Sequence, residues 1–273
     1  MSHDVVTIVQ ARCGSTRLPG KVLLPLGGAT VLDRMLDRVA RARLAGTIVV
    51  ATTDAAEDDP IAATCLIRDV RCWRGHPTDL LDRHYQAARA LGARHVVKVP
   101  SDCVLVDPAV IDRVLHAYLA RADRYDYVSN LHPPTYPDGN DVEAMSFRAL
   151  ETAWRRARRP LDREHTTPYL WDTPGAFRLG NVVWEGGRDA SLTHRVVLDY
   201  ADDYELIRTV FDALHPGDPA FGVGDVVRFL DAHPEVSALN ARYRGVNWYR
   251  HHLGELRTVA PTETRRPPEE TAR

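Results

Sequence analysis

The chain has 273 residues, of which 44% are hydrophobic and 26% charged, and its formal net charge is −2. This composition is typical of a globular domain, and the lack of a basic surplus argues against a nucleic-acid binder. The first residues lack the basic and apolar regions of a signal peptide, and no apolar run approaches the ~20 residues of a membrane span, so we expect a cytoplasmic protein without membrane contact.

Short β-rich runs alternate with amphipathic stretches in the first half of the chain. The patterns predict strands at 5–10, 47–51, 70–73 and 95–99. They predict helices at 79–91 and 108–122, and Thr30 followed by Asp33 predicts a helix N-cap with a capping box. Strand–helix alternation favours a mostly parallel sheet covered by helices on both faces, which is a three-layer αβα sandwich.

The second half is less regular. Residues 132–141 (HPPTYPDGND) predict a cluster of turns. Further elements are predicted as helices at 147–157, 201–214 and 224–232 and as strands at 177–183 and 194–198. We therefore predict one α/β domain over residues 1–257, with a small insertion arm at 131–187 and a disordered tail at 258–273.

The strongest chemical signal is the segment QARCGSTRLPGK at 10–21, directly after the first predicted strand. It combines two arginines, one lysine, two glycines and two hydroxyl residues, which are groups suited to phosphate oxygens. A Walker A loop is excluded because five residues separate the glycines and valine follows the lysine. The alternative is a basic surface loop that binds nothing.

This segment resembles the signature loop QARxGSTRLPGK of sugar cytidylyltransferases, above all those of the spore-coat-polysaccharide type, which are related to acylneuraminate and KDO cytidylyltransferases. The resemblance extends over residues 5–214 and includes ATTD at 51–54 and DLLDR at 79–83. It implies a Rossmann-like, GT-A-like nucleotidyltransferase fold, CTP as a ligand, and a homodimer in which 131–187 serves dimerisation and acceptor binding. It also implies nucleotide contacts for Gln10, Ala11, Arg12, Gly14, Ser15, Thr52, Arg74, Gly75 and Ser101.

Two aspartates follow predicted strands at the edge where the loop lies. Asp102 comes directly after the strand at 95–99, and Asp199 ends the one at 194–198. Two converging carboxylates suit Mg²⁺, although a lone strand-end aspartate more often caps a helix. The resemblance implies that both are metal ligands, that Asp203 is a supporting or capping residue, and that Arg17 and Lys21 stabilise the departing pyrophosphate as catalytic residues.

The segments TYPDGNDVE at 135–143 and REHTTPY at 163–169 resemble elements that lie beside the acceptor site in this family. The resemblance implies acceptor contacts for Tyr136, Asp138, Asn140, Glu143, Arg163, Glu164 and His165. His165 has a side chain whose ordinary pKa suits proton transfer near neutrality, although a purely structural role is equally open. Asn140 stands where the family commonly has an apolar residue, which leaves the acceptor open between a sugar acid, a sugar phosphate and a phosphonate.

The predicted function is transfer of CMP from CTP to an anionic acceptor, a sugar acid or sugar phosphate, with release of pyrophosphate. One alternative is CMP transfer to a phosphonate or another non-sugar phosphate. A GT-A-type glycosyltransferase would carry a D-x-D motif, but Asp102 is followed by Cys103 and Val104. A non-catalytic nucleotide-binding protein would have lost an aspartate or Lys21, and none is lost.

Overall fold

A seven-stranded sheet forms the centre of the computed structural model, which describes residues 4–266. The strands, including a two-stranded hairpin of β2 and β3, are β1 (Val5–Gln10), β2 (Pro25–Leu26), β3 (Ala29–Thr30), β4 (Thr47–Thr53), β5 (Arg71–Gly75), β6 (His95–Pro100), β7 (Tyr127–Ser129), β8 (Glu143–Ser146) and β9 (Leu179–Asn181). The order in the large sheet is β5-β4-β1-β6-β8-β7-β9. β5, β4, β1 and β6 are parallel, and β8 is antiparallel to β6 and to β7.

Helices connect these strands and continue after the last of them. They are α1 (Val31–Val39), α2 (Asp59–Ile67), α3 (Leu80–Ala90), α4 (Pro108–Leu119), α5 (Phe147–Arg156), α6 (Pro160–His165), α7 (Pro168–Trp171), α8 (Ala201–Leu214), α9 (Val223–Ala232) and α10 (Pro234–Ser237). Short 3₁₀ turns lie at Lys21–Leu23, Ala56–Asp58, Glu185–Gly187, Ala241–Tyr243, Trp248–His252 and Pro261–Glu263. Within the described residues, no helix is both long and apolar enough to cross a membrane.

Alternating side chains of β1 separate the core into two layers. Val5 and Val9 pack with α1 and α4, while Val6 and Ile8 pack with α3 and α5. Successive strand residues point to opposite faces, so an all-apolar strand needs cover on both. The αβα sandwich predicted from the sequence is confirmed. The predicted cap of α1 is confirmed too, since Thr30 Oγ1 accepts from Asp33 N at 3.1 Å.

Three regions differ from the sequence predictions. Residues 194–198 form no strand: they are extended but make one isolated bridge, between Arg195 and Asp138. Their backbone is instead hydrogen-bonded to loops at the sheet edge, as Val196 N donates to Asp138 O at 2.7 Å and Leu198 N to Asp102 O at 2.9 Å. The predicted strand fails because no neighbouring strand lies alongside.

The insertion and the tail are both joined to the domain. Residues 131–187 supply β8 and β9 to the central sheet, so they do not form a separate arm. In the predicted disordered tail, Thr258 N donates to Asp172 Oδ1 at 3.0 Å, and Thr264 Oγ1 donates to Gly245 O at 3.0 Å. These specific polar contacts order residues 258–266, which lack apolar periodicity. Residues 267–273 lie outside the described residues.

Candidate active site

A cavity of about 410 Å³ opens at the carboxyl ends of β1 and β6. It lies at the point between β1 and β6 where the strand order reverses, and crevices at such points are the usual ligand sites of α/β sheets. Fourteen of the twenty residues predicted for the site line it: Gln10, Ala11, Arg12, Ser15, Arg17, Lys21, Ser101, Asp102, Tyr136, Asp138, Glu143, Glu164, His165 and Asp199.

The loop after β1 is held in shape by a buried aspartate. Asp58 Oδ1 accepts from Cys13 N at 2.6 Å, and Asp58 also accepts from the backbone and hydroxyl of Thr53 at the end of β4. The turn closes where Gly20 N donates to Cys13 O at 2.9 Å, with Gly20 at a φ of 67° that a side chain would strain. Arg12, Arg17 and Lys21 are thereby presented from one fixed turn.

Lys21 joins the two aspartates that the sequence places 97 residues apart. Its Nζ donates to Asp102 Oδ2 at 3.1 Å, to Asp199 Oδ1 at 3.0 Å and to Leu198 O at 2.6 Å. Burial alone would lower the pKa of this ammonium, but the two carboxylates raise it above its ordinary value. Lys21 is therefore a fixed positive charge, and both aspartates face one point in the cavity.

Arg195 forms a second cationic centre beneath the first. Its guanidinium donates to Asp138 Oδ2 at 2.9 Å, to both oxygens of Asp203 at 2.9 and 3.0 Å, and to Asp199 Oδ2 at 3.3 Å. Arg17 reaches Asp199 from the opposite side at 2.6 Å. Burial would raise the pKa of Asp199, yet Lys21, Arg17 and Arg195 together hold it well below its usual range. Asp203 also accepts from Tyr200 N at 3.0 Å and so caps α8, as predicted.

The donor set fits a divalent cation that shares its coordination with a nucleotide. Asp102 Oδ1 receives only a weak contact from Cys103 Sγ at 3.9 Å, so one carboxylate oxygen remains free on the cavity side. Across residues 4–266, no group of three or more His, Cys, Asp or Glu side chains is arranged to hold a metal on its own. An ion between Asp102 and Asp199 would therefore need phosphate oxygens, which is how Mg²⁺ is commonly held.

Four residues predicted for the nucleotide lie outside the cavity lining: Gly14, Thr52, Arg74 and Gly75. Arg74 is occupied elsewhere, since Nη1 lies 2.6 Å from Asp59 Oδ1 and Nε donates to Thr53 O at 2.9 Å. Thr52 is fully buried in β4, and its hydroxyl has no partner among the described residues. Neither side chain is therefore presented to a ligand in the cavity.

Two residues predicted for the acceptor are also turned away from it. Asn140 is 2% exposed and its Oδ1 accepts from Asp107 N at 3.1 Å, which explains an amide at a position that could otherwise be apolar. Arg163 binds Asp79, with Nε donating at 2.9 Å, and donates to Trp154 O at 2.8 Å. Arg163 therefore joins α6 to α3 and is not presented to a ligand.

Sequence reasoning missed several residues of the cavity. Arg83, Lys98 and Asp141 line it, and so does the segment 246–252 near the end of the described chain. The aromatic and histidine-rich stretch WYRHH at 248–252 was the available signal, although its position far from the loop gave no reason to join the two.

The end of the cavity beyond Asp102 contains a buried ion pair. Lys98 Nζ lies 2.5 Å from Glu143 Oε1, and Tyr127 donates to Glu143 Oε2 at 2.6 Å. Burial would raise the pKa of Glu143, but Lys98 lowers it below its ordinary value. Asp138 behaves differently: burial, opposed by Arg195 but reinforced by Asp199, raises its pKa to about 6.

A cationic loop and two convergent aspartates beside a crevice at the ends of parallel strands form a site of the kind found in nucleotidyltransferases. A family model described as cytidylyltransferase matches residues 6–218. An uncharacterized protein of Methanocaldococcus jannaschii is 31% identical over 249 residues, 88% of this chain and 96% of that protein. The spore coat polysaccharide biosynthesis protein SpsF of Bacillus subtilis is 28% identical over 240 residues, 86% of this chain and 97% of its own.

Among solved structures, a cytidylyltransferase from Leptospira borgpetersenii serovar Hardjo-bovis superposes with a TM-score of 0.81 at 30% identity. The match covers 85% of this chain and 96% of that one. The chain belongs to the cytidylyltransferase family. It is therefore an enzyme of the nucleotidyltransferase class, in agreement with the expectation from the loop.

Proposed function

We propose that this protein transfers CMP from CTP to a small anionic acceptor and releases pyrophosphate. The proposal rests on the position of Lys21 Nζ, which lies 3.1 Å from Asp102 Oδ2 and 3.0 Å from Asp199 Oδ1. This group of charges lies beneath the loop that presents Arg12 and Arg17. Charges of both signs at one point suit a magnesium–triphosphate complex better than either partner alone.

The residues of the chain divide the work of this reaction. Arg12, Arg17 and Lys21 would bind the phosphates and stabilise the charge that develops on the departing pyrophosphate. Asp102 and Asp199 would hold Mg²⁺, which when bound polarises the α-phosphate. Asp203 and Arg195 keep Asp199 oriented through bonds of 2.9 to 3.3 Å. An acceptor oxygen that is already ionised needs no protein base, so positioning and charge neutralisation carry the step.

The acceptor is proposed as either a sugar acid or sugar phosphate, or a phosphonate or other non-sugar phosphate. The name of the Bacillus subtilis relative, a polysaccharide biosynthesis protein, supports a sugar. Arg163, predicted as a partner for an acceptor carboxylate or phosphate, is paired with Asp79 and so favours neither candidate.

The test is to incubate the protein with each of the four NTPs, Mg²⁺ and a panel of sugar acids, sugar phosphates and phosphonates, and to measure pyrophosphate. We expect acceptor-dependent release with CTP alone. Transfer from a nucleotide sugar without pyrophosphate would instead indicate a glycosyltransferase, and the absence of any CTP-dependent release would reject the proposal.

We further propose that the chain forms a homodimer through the region 131–187. Two large apolar side chains of that region are exposed at and beyond edge strand β9, Leu179 by 43% and Val183 by 53%. Burying such side chains in a partner would be favourable. Light scattering should give twice the chain mass, and Val183→Asp should shift the protein toward the monomer; a monomeric wild type would reject the dimer and leave the chemistry untouched.

A further inference from the structure

The end of the cavity away from the phosphate loop is walled by aromatic rings. His132 lies 4.2 Å from Trp171 between ring centroids, and His165 stacks on Trp248 at 4.0 Å. Trp171 and Trp248 meet edge to face at 6.4 Å, which joins the two pairs. Trp248 lies beyond the family-matched residues 6–218, so this wall is partly built by a segment outside the family model.

The two histidines act here as neutral rings. Burial lowers the pKa of His132 to about 4 and that of His165 to about 3. Both are therefore uncharged near neutrality, and His165 is not placed to shuttle a proton there. The wall offers the electron-rich faces of aromatic rings and adds no positive charge, which is the environment that attracts a cation.

The lining of the same cavity includes an acid without a partner among the described residues. Asp141 lines the cavity, yet within residues 4–266 its carboxylate has no hydrogen bond and no ion pair. Its neighbours differ, since Asp138 is paired with Arg195 at 2.9 Å and Glu143 with Lys98 at 2.5 Å. An uncompensated acid in this position would be relieved by a positive group on a ligand.

Acceptor anions have no equivalent partner at the aromatic end. Lys98 is bound to Glu143, and Arg195 is shared by Asp138, Asp199 and Asp203. Arg163 is bound to Asp79 and does not line the cavity. Arg17 is paired with Asp199 at 2.6 Å. Arg12 and Arg83 have no ion pair within residues 4–266, but Arg12 belongs to the phosphate loop and Arg83 packs against Gly75 at the end of β5. A sugar-acid carboxylate against the aromatic wall would remain unpaired.

We propose that the acceptor carries an ammonium group, primary or methylated, which lies against Trp171, Trp248 and Asp141 while the phosphate or phosphonate of the same molecule faces Asp102. This inference rests on the proposed CMP transfer and narrows its acceptor. An oxyanion of the acceptor forms a new bond to the α-phosphorus of CTP. The bond from that phosphorus to the oxygen leading to the β-phosphorus breaks, and pyrophosphate leaves with the electron pair. The ammonium group is recognised and does not react.

Acceptors that differ in charge but hardly in shape give the test. Choline phosphate is compared with 3,3-dimethylbutyl phosphate, and 2-aminoethylphosphonate with propylphosphonate, each with CTP and Mg²⁺. We expect at least one ammonium compound to exceed its neutral analogue about tenfold in kcat/KM for pyrophosphate release. The same preference should appear in binding, measured by tryptophan fluorescence with a non-hydrolysable CTP analogue present. Equal binding and turnover within both pairs would overturn the inference.

Variants separate recognition of the cation from general damage. Asp141→Asn and Trp248→Ala should each reduce the ratio between ammonium and neutral acceptors, and Trp248→Phe should retain part of it, because an aromatic face remains. Thermal unfolding of each variant verifies folding. If Asp141→Asn abolished pyrophosphate release with every acceptor while the protein stayed folded, Asp141 would belong to the metal or the nucleotide, and the inference would be overturned.

The failures of the two proposals are distinguishable. Turnover of a sugar acid with CTP, without any preference for ammonium compounds, would overturn the acceptor inference and leave CMP transfer standing. Absence of CTP binding and of pyrophosphate release with every acceptor would overturn both.

Discussion

The two ends of the cavity are built in opposite ways. The phosphate end is a single turn, residues 12–21, whose charged groups follow one another in the chain and are fixed by Asp58. The aromatic end gathers His132, Trp171 and Trp248 from regions more than 100 residues apart in total span. A cationic turn made of contiguous residues can be predicted from the sequence, whereas a wall of residues that are distant in the chain can be identified only from the structure.

The difference extends to how charge is handled. Lys21, Arg17 and Arg195 all form ion pairs with Asp199, so the side-chain charges at the phosphate end compensate one another. At the aromatic end Lys98 and Glu143 neutralise each other, whereas Asp141 and Glu164, which also line the cavity, have no ion pair within residues 4–266. Under the proposed function, the first end would bind the phosphates of CTP and the second would select among acceptors.

The largest effect is expected at the phosphate end. Asp102→Ala removes the carboxylate with a free oxygen on the cavity side, and we expect pyrophosphate release to fall by about 10²–10³-fold or more. The fold should survive, because Asp102 makes no buried contact beyond Lys21 and a weak one with Cys103. Release is measured with saturating CTP and Mg²⁺, and folding by circular dichroism.

Asp212→Ala is the matched control, since Asp212 is exposed on α8 far from the loop in sequence. Its rate should equal that of the wild type. An Asp102→Ala protein that kept more than about a tenth of the wild-type rate would contradict the role of Asp102, because loss of one preorganised charge contact costs more than that.

The same division explains what the sequence could predict. The sandwich, the cap at Thr30 and the position of Asp102 followed from local patterns that tertiary contacts did not override. The strand predicted at 194–198 failed because its backbone bonds go to Asp138 and Asp102 in loops, and no periodicity reveals a missing neighbour. Arg163 was predicted at the ligand from its motif, but the salt bridge to Asp79 is a long-range contact that only the fold creates.

An intermediate effect is expected where the C-terminal segment is anchored. Asp172 is 1% exposed, and its Oδ1 accepts from Arg257 N at 2.7 Å and from Thr258 N at 3.0 Å, while its Oδ2 lies 3.0 Å from Arg159. Asp172→Ala leaves these donors unsatisfied and should lower the free energy of unfolding by about 2–3 kcal/mol. Because the segment carries Trp248, KM should rise for the acceptor more than for CTP.

Thr258→Ala provides a graded control. It removes only the hydroxyl bond to Asp172 Oδ1 at 3.1 Å and should cost about 1 kcal/mol in a chemical denaturation experiment. If Asp172→Ala raised KM for CTP as much as for the acceptor, the C-terminal segment would influence both ends of the cavity. This result would contradict the division of the cavity into two separately built ends.

The smallest expected effect is on the pH dependence of stability, through a buried histidine close to the aromatic wall of the cavity. His84 is fully buried in α3, its Nδ1 donates to Leu80 O at 2.9 Å, and α3 packs against α6, which carries Glu164 and His165. Burial lowers the pKa of His84 to about 3. Unfolded histidine binds a proton near pH ~6.5, so stability is full above that pH and falls as the pH drops toward the folded pKa. Lowering the pH from 7.5 to 5 should therefore reduce the free energy of unfolding by about 2 kcal/mol through His84 alone.

His84→Gln should reduce the loss of stability between pH 7.5 and 5 by about 2 kcal/mol, and His116→Gln, at an exposed position of α4, should leave that loss unchanged. The part of the loss due to His132 and His165, whose pKa values are also lowered, should remain in both variants. The comparison with wild type is necessary because Asp138 and Asp141 have raised pKa values and act in the opposite direction, gaining stability as the pH falls. Urea denaturation at pH 7.5 and 5 measures the difference. A His84→Gln protein that loses as much stability as the wild type would show that His84 does not cause this part of the pH dependence, because its pKa would then be the same in the folded and unfolded protein.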